Sequence, residues 1–371
     1  MAVGMGIHGE PGISETAVPT ADGLAQLLVD SLLAELPDDV PRAAGERVIA
    51  VLNGLGSVKY EEMFVVYRRI AALLADAGVE VAFSEVGEFC TSFDMAGVSL
   101  TLTWLDDELE RLWAAPAVTP SYRTGSIDAR RLDAGELAAE EAAAAAVPPA
   151  SSGSRDAATI VARALEVARD TVDAHVEELG RMDAIAGDGD HGIGMQRGAH
   201  AAADAARDAL ARGAGAGTTL GLAADAWADR AGGTSGVLWG VFLRSIAQTL
   251  GDDAEPDTAR VAAGVTTGVQ RIRETGGANP GDKTMVDALV PFAGVLAERA
   301  DAGDDVAVAW AAAADAAIDA AASTADLVPR LGRSRSHGDK SLGTPDPGAH
   351  SFALIVTAVA AVLENDSKEN G

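Results

Sequence analysis

A single cysteine, Cys90, stands in 371 residues, which excludes a disulfide within the chain. It follows Phe89 and reads as a small apolar side chain. Such scarcity fits a reducing compartment, so a cytoplasmic location is expected. Basic residues are few as well: 28 Lys and Arg face 56 Asp and Glu, for a formal net charge of −28. A surface of that sign repels polyanions, which argues against nucleic acid and against a membrane as partners. No run of 18 apolar residues is free of charge. The nearest approach, Val306–Ala321, carries Asp315 and Asp319 and reads as the helix of a folded domain. The second half of the chain also has almost no strand pattern.

What is present divides in two. Hydrophobic residues make up 48% of the chain, and the length suits two or three domains. Over 1–123 the order is strand–helix–strand, the mark of an α/β unit. Leu24–Leu36 has helical apolar spacing, and Arg47–Asn53 is a strand apolar enough to be covered on both faces. A helix at Tyr60–Asp76 follows, then strands at Val79–Ser84 and Val98–Leu105, the last alternating cleanly. Residues 124–153 hold a Glu/Ala-rich stretch and then VPPASSGS, which breaks any helix, and read as a linker. Over 154–366 about eight helical stretches with short connections predict an all-helical domain; Ser154 can cap the first, which runs to about Leu179, Asp282 is a plausible N-cap ahead of a later one, and Val306–Ser323 is another. The expected fold class is therefore a partial α/β domain followed by an eight-helix antiparallel barrel, the barrel form being implied by the resemblance below.

The densest chemistry lies in DAIAGDGDHG. Asp183, Asp188 and Asp190 fall within eight residues with glycines between them. Glycines let the backbone fold back and gather the carboxylates, and hard oxygen ligands suit Mg²⁺. A polar turn between two helices uses the same residue types. Three more loops precede predicted helices: GGTSG with Thr234, Ser235 and Gly236; GDKTM with Lys283 and Met285; and DPGA with Asp346 at the N-cap, Pro347 at N1 and Gly348 behind it. Helix N-termini with glycines offer free N–H groups to phosphate, although glycine turns also cap helices with no ligand. GRSRSHGDK supplies Arg333, one of the few basic clusters. Near the start, GIHGEPG exposes His8 between glycines, either as a nucleophile near neutral pH or as an ordinary loop histidine.

Taken together these strings resemble the dihydroxyacetone kinase family. DAIAGDGDHG, GGTSG, GDKTM and DPGA match its nucleotide-binding L domain over roughly 155–365. GMGIHGEPG, VLNGLG and CTSFDMAG match the C-terminal part of its K domain. The resemblance implies an eight-helix barrel around a phospholipid-like core, with ATP at its rim on two Mg²⁺ ions held by Asp183, Asp188 and Asp190. His191, Thr234, Ser235, Gly236, Met285, Arg333, Asp346 and Gly348 would surround the nucleotide. It also implies that His8 forms a hemiaminal with the ketone. The expected function is ATP-dependent phosphorylation of dihydroxyacetone or a similar short, erythrulose-like ketose, by a homodimer.

The family's K domain has more sequence ahead of this histidine, including a second histidine and the aspartate that serves as general base. The chain is therefore expected to be a fragment, or to rely on a missing upstream segment or a partner chain, and to phosphorylate weakly alone. Two alternatives stay open. One is the ADP-binding subunit of a phosphoenolpyruvate-linked dihydroxyacetone phosphotransferase; the other is a non-catalytic nucleotide-binding regulatory protein.

Overall fold

The structure is a computed structural model describing residues 1–7, 12–92, 95–126, 147–185, 187–331, 335 and 340–370. It divides into two compact units, Met1–Glu136 and Leu137–Gly371.

The first unit is mixed α/β. Its elements run β1 (Ala2–Val3), β2 (Ser14–Glu15), α1 (Ala21–Ala34), β3 (Arg47–Gly54), α2 (Tyr60–Asp76), β4 (Glu80–Gly87), β5 (Val98–Leu105), α3 (Asp107–Trp113), β6 (Ala117–Val118) and β7 (Arg123–Thr124). Three strands form the main sheet in the order β4-β3-β5. β3 lies parallel to β4, from Arg47 opposite Glu80 to Asn53 opposite Gly87. It lies antiparallel to β5, from Arg47 opposite Leu105 to Gly54 opposite Val98. Val48, Ile49, Ala50 and Leu52 of the central strand are all buried, as a strand covered on both faces requires. Met63, Val66, Ile70 and Leu74 give α2 one apolar face, which packs with Ala25 and Val29 of α1 against Val48, Ala50 and Leu52. Asp106 caps α3 by accepting the Leu109 N–H at 2.7 Å.

The second unit is predominantly α-helical: α4 (Ser152–Asp183), α5 (His191–Ala211), α6 (Ala216–Ala231), α7 (Gly233–Leu250), α8 (Thr258–Gly276), α9 (Val286–Asp301), α10 (Val306–Ser323) and α11 (Pro347–Asn370), with a 3₁₀ turn at Thr324–Asp326. Each helix packs on the next, and α11 packs back on α4. Alanines allow the close approach: Ala199, Ala202 and Ala206 of α5, and Ala309, Ala313 and Ala317 of α10, are completely buried. Aromatic rings fill the middle. Trp227 stacks on Trp239 with ring centroids 4.9 Å apart, and Phe292 meets Phe352 edge-on at 5.3 Å. Two helical segments, Val306–Asp326 and Pro347–Lys368, are long and apolar enough by length and composition to cross a membrane. Ala309, Ala313, Ala317, Ala353 and Phe352 of these segments are part of this core, while Asp315 and Asp319 are exposed.

Two helix starts differ from expectation. α4 is capped by Ser151, whose hydroxyl accepts the Ser154 N–H at 3.0 Å. Ser154, the expected cap, is buried and accepts the Ala216 N–H at 2.9 Å. At the other end α4 runs on to Asp183 instead of stopping near Leu179. α9 starts at Val286 with Met285 in the N-cap position. Asp282, expected there, instead accepts the Asn279 N–H at 2.7 Å and holds its own loop. Most of the expected linker, 127–146, lies outside the described residues.

Candidate metal and nucleotide site

The three aspartates occupy two helix ends and the turn between them. Asp183 is the last residue of α4, and Asp190 is the N-cap of α5 but makes no side-chain cap bond. The turn closes through the Gly187 N–H to the Asp183 carbonyl at 2.7 Å. Asp183 Oδ2 accepts the N–H groups of Gly189 at 2.9 Å and His191 at 3.4 Å, which orients that carboxylate. Gly189 has φ +79°, a conformation that glycine adopts without strain. Close packing does the rest: a Cβ on Gly192 would come within 2.1 Å of the Val176 carbonyl oxygen. Only a glycine there lets α5 press against α4 directly behind the turn.

The result is a cluster in which ligand atoms from Asp183, Asp188 and Asp190 lie within 4.8 Å of one another. Opposite oxygens on a Mg²⁺ ion are about 4.2 Å apart, so small side-chain rotations would bring all three onto one ion. Like charges this close repel, and a divalent cation relieves that repulsion. The donor set therefore fits magnesium.

These carboxylates stand at one side of a cleft of about 470 Å³, within the range of roughly 300–1,000 Å³ usual for small-molecule sites. The cleft is also lined by His191, Thr234, Ser235, Gly236, Met285, Asp346 and Gly348. Every expected nucleotide-site residue among the described ones is thus brought to one place. Arg333 and His8 lie outside the described residues.

Two helix N-termini open into the cleft. At α7, Gly232 and Gly233 both have positive φ, 69° and 60°, which turns the chain sharply out of α6. The first i→i−4 bond of α7 is Gly236 N–H to Gly232 carbonyl, so the N–H groups before it have no intrahelical partner. Thr234 and Ser235 are exposed there. At α11, Asp346 caps by accepting the Ala349 N–H at 2.8 Å. A Cβ on Gly348 would sit 3.0 Å from the Asp346 carboxylate and 3.3 Å from Met285, so the glycine lets that helix end lie close to α9.

Charge in the cleft is tuned by burial. Burial pushes the Asp346 carboxyl up to about 7, aided by the charge of Asp287 and opposed by the Ala349 and Gly348 N–H groups and by Lys283. Burial also pushes His191 below its ordinary value, against the pull of Asp183 and a bond to the Pro347 backbone. His191 is therefore neutral near pH 7, with Nε2 3.0 Å from the Ser351 hydroxyl.

Some organising residues were not legible as such. Asp287 accepts the N–H groups of Gly281 at 2.5 Å and Thr284 at 2.7 Å, shaping the GDKTM loop. Thr324 accepts the Asp346 N–H at 2.8 Å. Neither belongs to a glycine-rich string, and only their tertiary partners identify them.

In the first unit the strings VLNGLG and CTSFDMAG meet. The buried Asn53 side chain accepts the N–H groups of Phe89 and Cys90 at 2.7 and 2.9 Å and donates to the Cys90 carbonyl at 2.8 Å. The Ser92 hydroxyl donates to the Ile7 carbonyl, tethering the strand of chain that leads to His8.

Comparison with known proteins agrees with this division. Residues 1–121 match the Dak1 domain, and residues 185–361 match the DAK2 domain. The chain is 55% identical over 370 residues to an L-erythrulose kinase of Pectobacterium atrosepticum, covering 99% of this chain and 62% of that protein. It is 49% identical over 370 residues to a D-erythrulose kinase of Mycolicibacterium smegmatis, covering 97% of this chain and 62% of that protein. It therefore spans about six tenths of the length of the curated relatives it matches. Among solved structures it is similar to the native dihydroxyacetone kinase of C. freundii, with 27% identity, 96% of this chain and 60% of that one covered, and a TM-score of 0.45. The chain thus carries a Dak1-domain segment in front of a DAK2 domain, and along nearly its whole length it is similar to erythrulose kinases.

Proposed function

We propose that this chain binds Mg–ATP in the cleft of its helical unit and serves an ATP-dependent kinase acting on a short ketose. The observation that carries the reading is the meeting of three clustered carboxylates with two helix N-termini around one cleft. In a chain of net charge −28, a triphosphate is held only where local positive potential is supplied. Asp183, Asp188 and Asp190 would hold magnesium, which neutralises phosphate charge when bound. The N–H groups at the starts of α7 and α11, with Thr234 and Ser235, would donate to phosphate oxygens. His191, Gly236, Met285, Asp346 and Gly348 would shape the wall of the site, and Arg333 would add a cation.

The proposed domain limits are 1–123 for the ketose-binding part, 124–153 for the join and 154–366 for the nucleotide domain. Its eight helices would form an antiparallel barrel closed by the packing of α11 on α4. We take the substrate to be a four-carbon ketose, since two relatives at 55% and 49% identity are erythrulose kinases. His8 would capture it: a ring nitrogen adds to the ketone carbon, the carbonyl oxygen takes up a proton and the ring sheds one, leaving a neutral hemiaminal. An alcohol without a carbonyl cannot be held this way. Because the chain spans 62% of these relatives, turnover is proposed for the protein with a complete ketose-binding domain, in this chain or supplied by a partner. A cytoplasmic homodimer is the assembly proposed.

The test has two arms. Titration calorimetry of the purified chain should show Mg-dependent ATP and ADP binding, and absence of binding would end the nucleotide reading. The protein with a complete ketose-binding domain should phosphorylate erythrulose with ATP, and His8→Ala should raise the ketone KM without changing ATP affinity. An unchanged KM would make His8 an ordinary loop residue.

A further inference from the structure

Ser351 is a polar residue in an apolar setting. It sits in the second turn of α11 and is 1% exposed, and Ala349, Phe352, Ala353, Ile355 and Val356 around it are buried core residues. A buried hydroxyl costs stability unless it is hydrogen-bonded. This one donates to the Gly348 carbonyl at 3.1 Å, a bond that a serine can make within its own helix. That bond alone satisfies the proton. The oxygen nevertheless has a second partner on another helix, His191 Nε2 of α5, at 3.0 Å.

His191 belongs to the aspartate turn at its other end. It follows Asp190 directly, and its backbone N–H reaches Asp183 Oδ2 at 3.4 Å. Its ring crosses to α11, where it meets Ser351 and the Pro347 backbone. Asp190, His191, Pro347 and Gly348 all line the cleft, whereas Ser351 does not. The hydroxyl therefore holds two lining residues, the His191 ring and the Gly348 carbonyl, from outside the cavity. Both α5 and α11 pack on α4, but neither helix fixes locally how its own start faces the other. The Ser351 hydroxyl is placed to do so.

We propose that Ser351 is a positioning residue of the nucleotide site: its hydroxyl fixes the His191 ring and so sets the aspartate turn against the start of α11. The proposal rests on the nucleotide reading above, but the fixing of the ring can be tested without nucleotide. Removing the hydroxyl leaves Nε2 short of a partner, and an unmade bond of this kind is costly. The ring then turns from α11 to find another.

In the wild-type chain without nucleotide, nitrogen NMR of the His191 ring should show one fixed tautomer. Signals averaged between tautomers, as in free histidine, would overturn the proposal, and this readout needs no variant to fold. Ser351→Ala should average those signals and weaken Mg–ADP binding about tenfold, the scale seen when a supporting partner of a metal site is lost. Ser245→Ala is the control. Ser245 is also buried, and its hydroxyl donates within its own helix, to the Val241 carbonyl at 2.8 Å, but it does not line the cleft. That variant should keep wild-type affinity, and an equal loss there would reduce the Ser351 effect to general packing. In a His191→Ala background, adding Ser351→Ala should weaken Mg–ADP binding no further, because the hydroxyl acts through the ring. A second tenfold loss in that background would overturn the role. Wild-type affinity in Ser351→Ala would remove the Ser351 role alone, whereas failure of the wild-type chain to bind Mg–ADP would overturn the nucleotide reading and the positioning role with it.

Discussion

The two units solve the burial problem differently. In the first, three strands and two helices share a modest core of aliphatic side chains, and several large apolar residues stay outside it: Phe64 is 55% exposed, and Tyr60, Val65, Leu112 and Trp113 are exposed as well. In the second, the described helices cover one another, and rings such as Trp227, Phe292 and Phe352 are completely or almost completely buried. The candidate site follows the same division. The helical unit holds its carboxylates, glycine turns and capped helix ends around a single cleft, whereas in the first unit Asn53 ties to Phe89 and Cys90 and Ser92 bonds to the Ile7 carbonyl. Nucleotide binding should therefore be a property of the helical unit's own geometry, separable from ketone capture.

The sharpest way to break that comparison is at the metal cluster. Asp188→Ala should weaken Mg–ADP binding by more than about a hundredfold, since a metal site loses affinity steeply with each carboxylate. Circular dichroism should remain that of a folded helical protein. Retained affinity in calorimetry would mean that the cluster does not serve the nucleotide.

Packing gives the next largest contrast. Phe352→Ala empties the centre of the aromatic cluster and should cost about 3–5 kcal/mol of unfolding free energy. Phe64→Ser on the exposed face of α2 should change stability by no more than about 0.5 kcal/mol. Denaturant melts of the two variants compare the units directly, and equal losses would erase the distinction.

A smaller effect tests the electrostatics beneath α11. The folded-state pKa of Asp346 is raised from its ordinary 3.8 to about 7, so between these values the native state binds more protons than the unfolded chain. By linkage, this group's contribution to stability falls as pH rises from about 4 to about 7 and is level above. Asp346→Asn should lose that slope, which thermal melts at pH 5, 6, 7 and 8 will detect. An identical pH profile in the variant would mean that Asp346 ionises normally.

The smallest expected change is at the start of α7. Ser235→Ala removes one hydroxyl and leaves the backbone N–H groups in place. It should weaken Mg–ADP binding by about tenfold, the low end of the roughly 1.5–3 kcal/mol of a hydrogen bond to a charged group, because water can replace the exposed hydroxyl. A hundredfold loss would shift the weight of recognition from the helix end to the side chain.

Much of this was legible because local chemistry and tertiary role coincide. The clean alternation of Val98–Leu105 matches the strand bounds, Val306–Ser323 matches α10, and Asp106 and Asp346 cap where Asp ahead of a helix is expected to. The cleft residues sit in glycine-rich strings whose composition announces turns before helices. Where the reading slipped, two residues of similar propensity competed. Ser151 and Ser154 are equally good caps, and burial against Ala216 decided between them. Asp282 and Asp287 are equally good acceptors, and the turn of the loop gave each a different N–H to satisfy.

The sequence by itself determined the two-part composition, most of the elements and the strings that carry the site, because periodicity, capping and turn chemistry act over a few residues. Only the tertiary structure decided that four loops from across more than 160 positions line one cleft. It alone turned Lys283 inward to bridge Leu327 and Ser341, and it alone raised the Asp346 carboxyl. Those outcomes depend on which surfaces exclude water together, and that is settled by how helices pack, not by the residues adjacent in the chain.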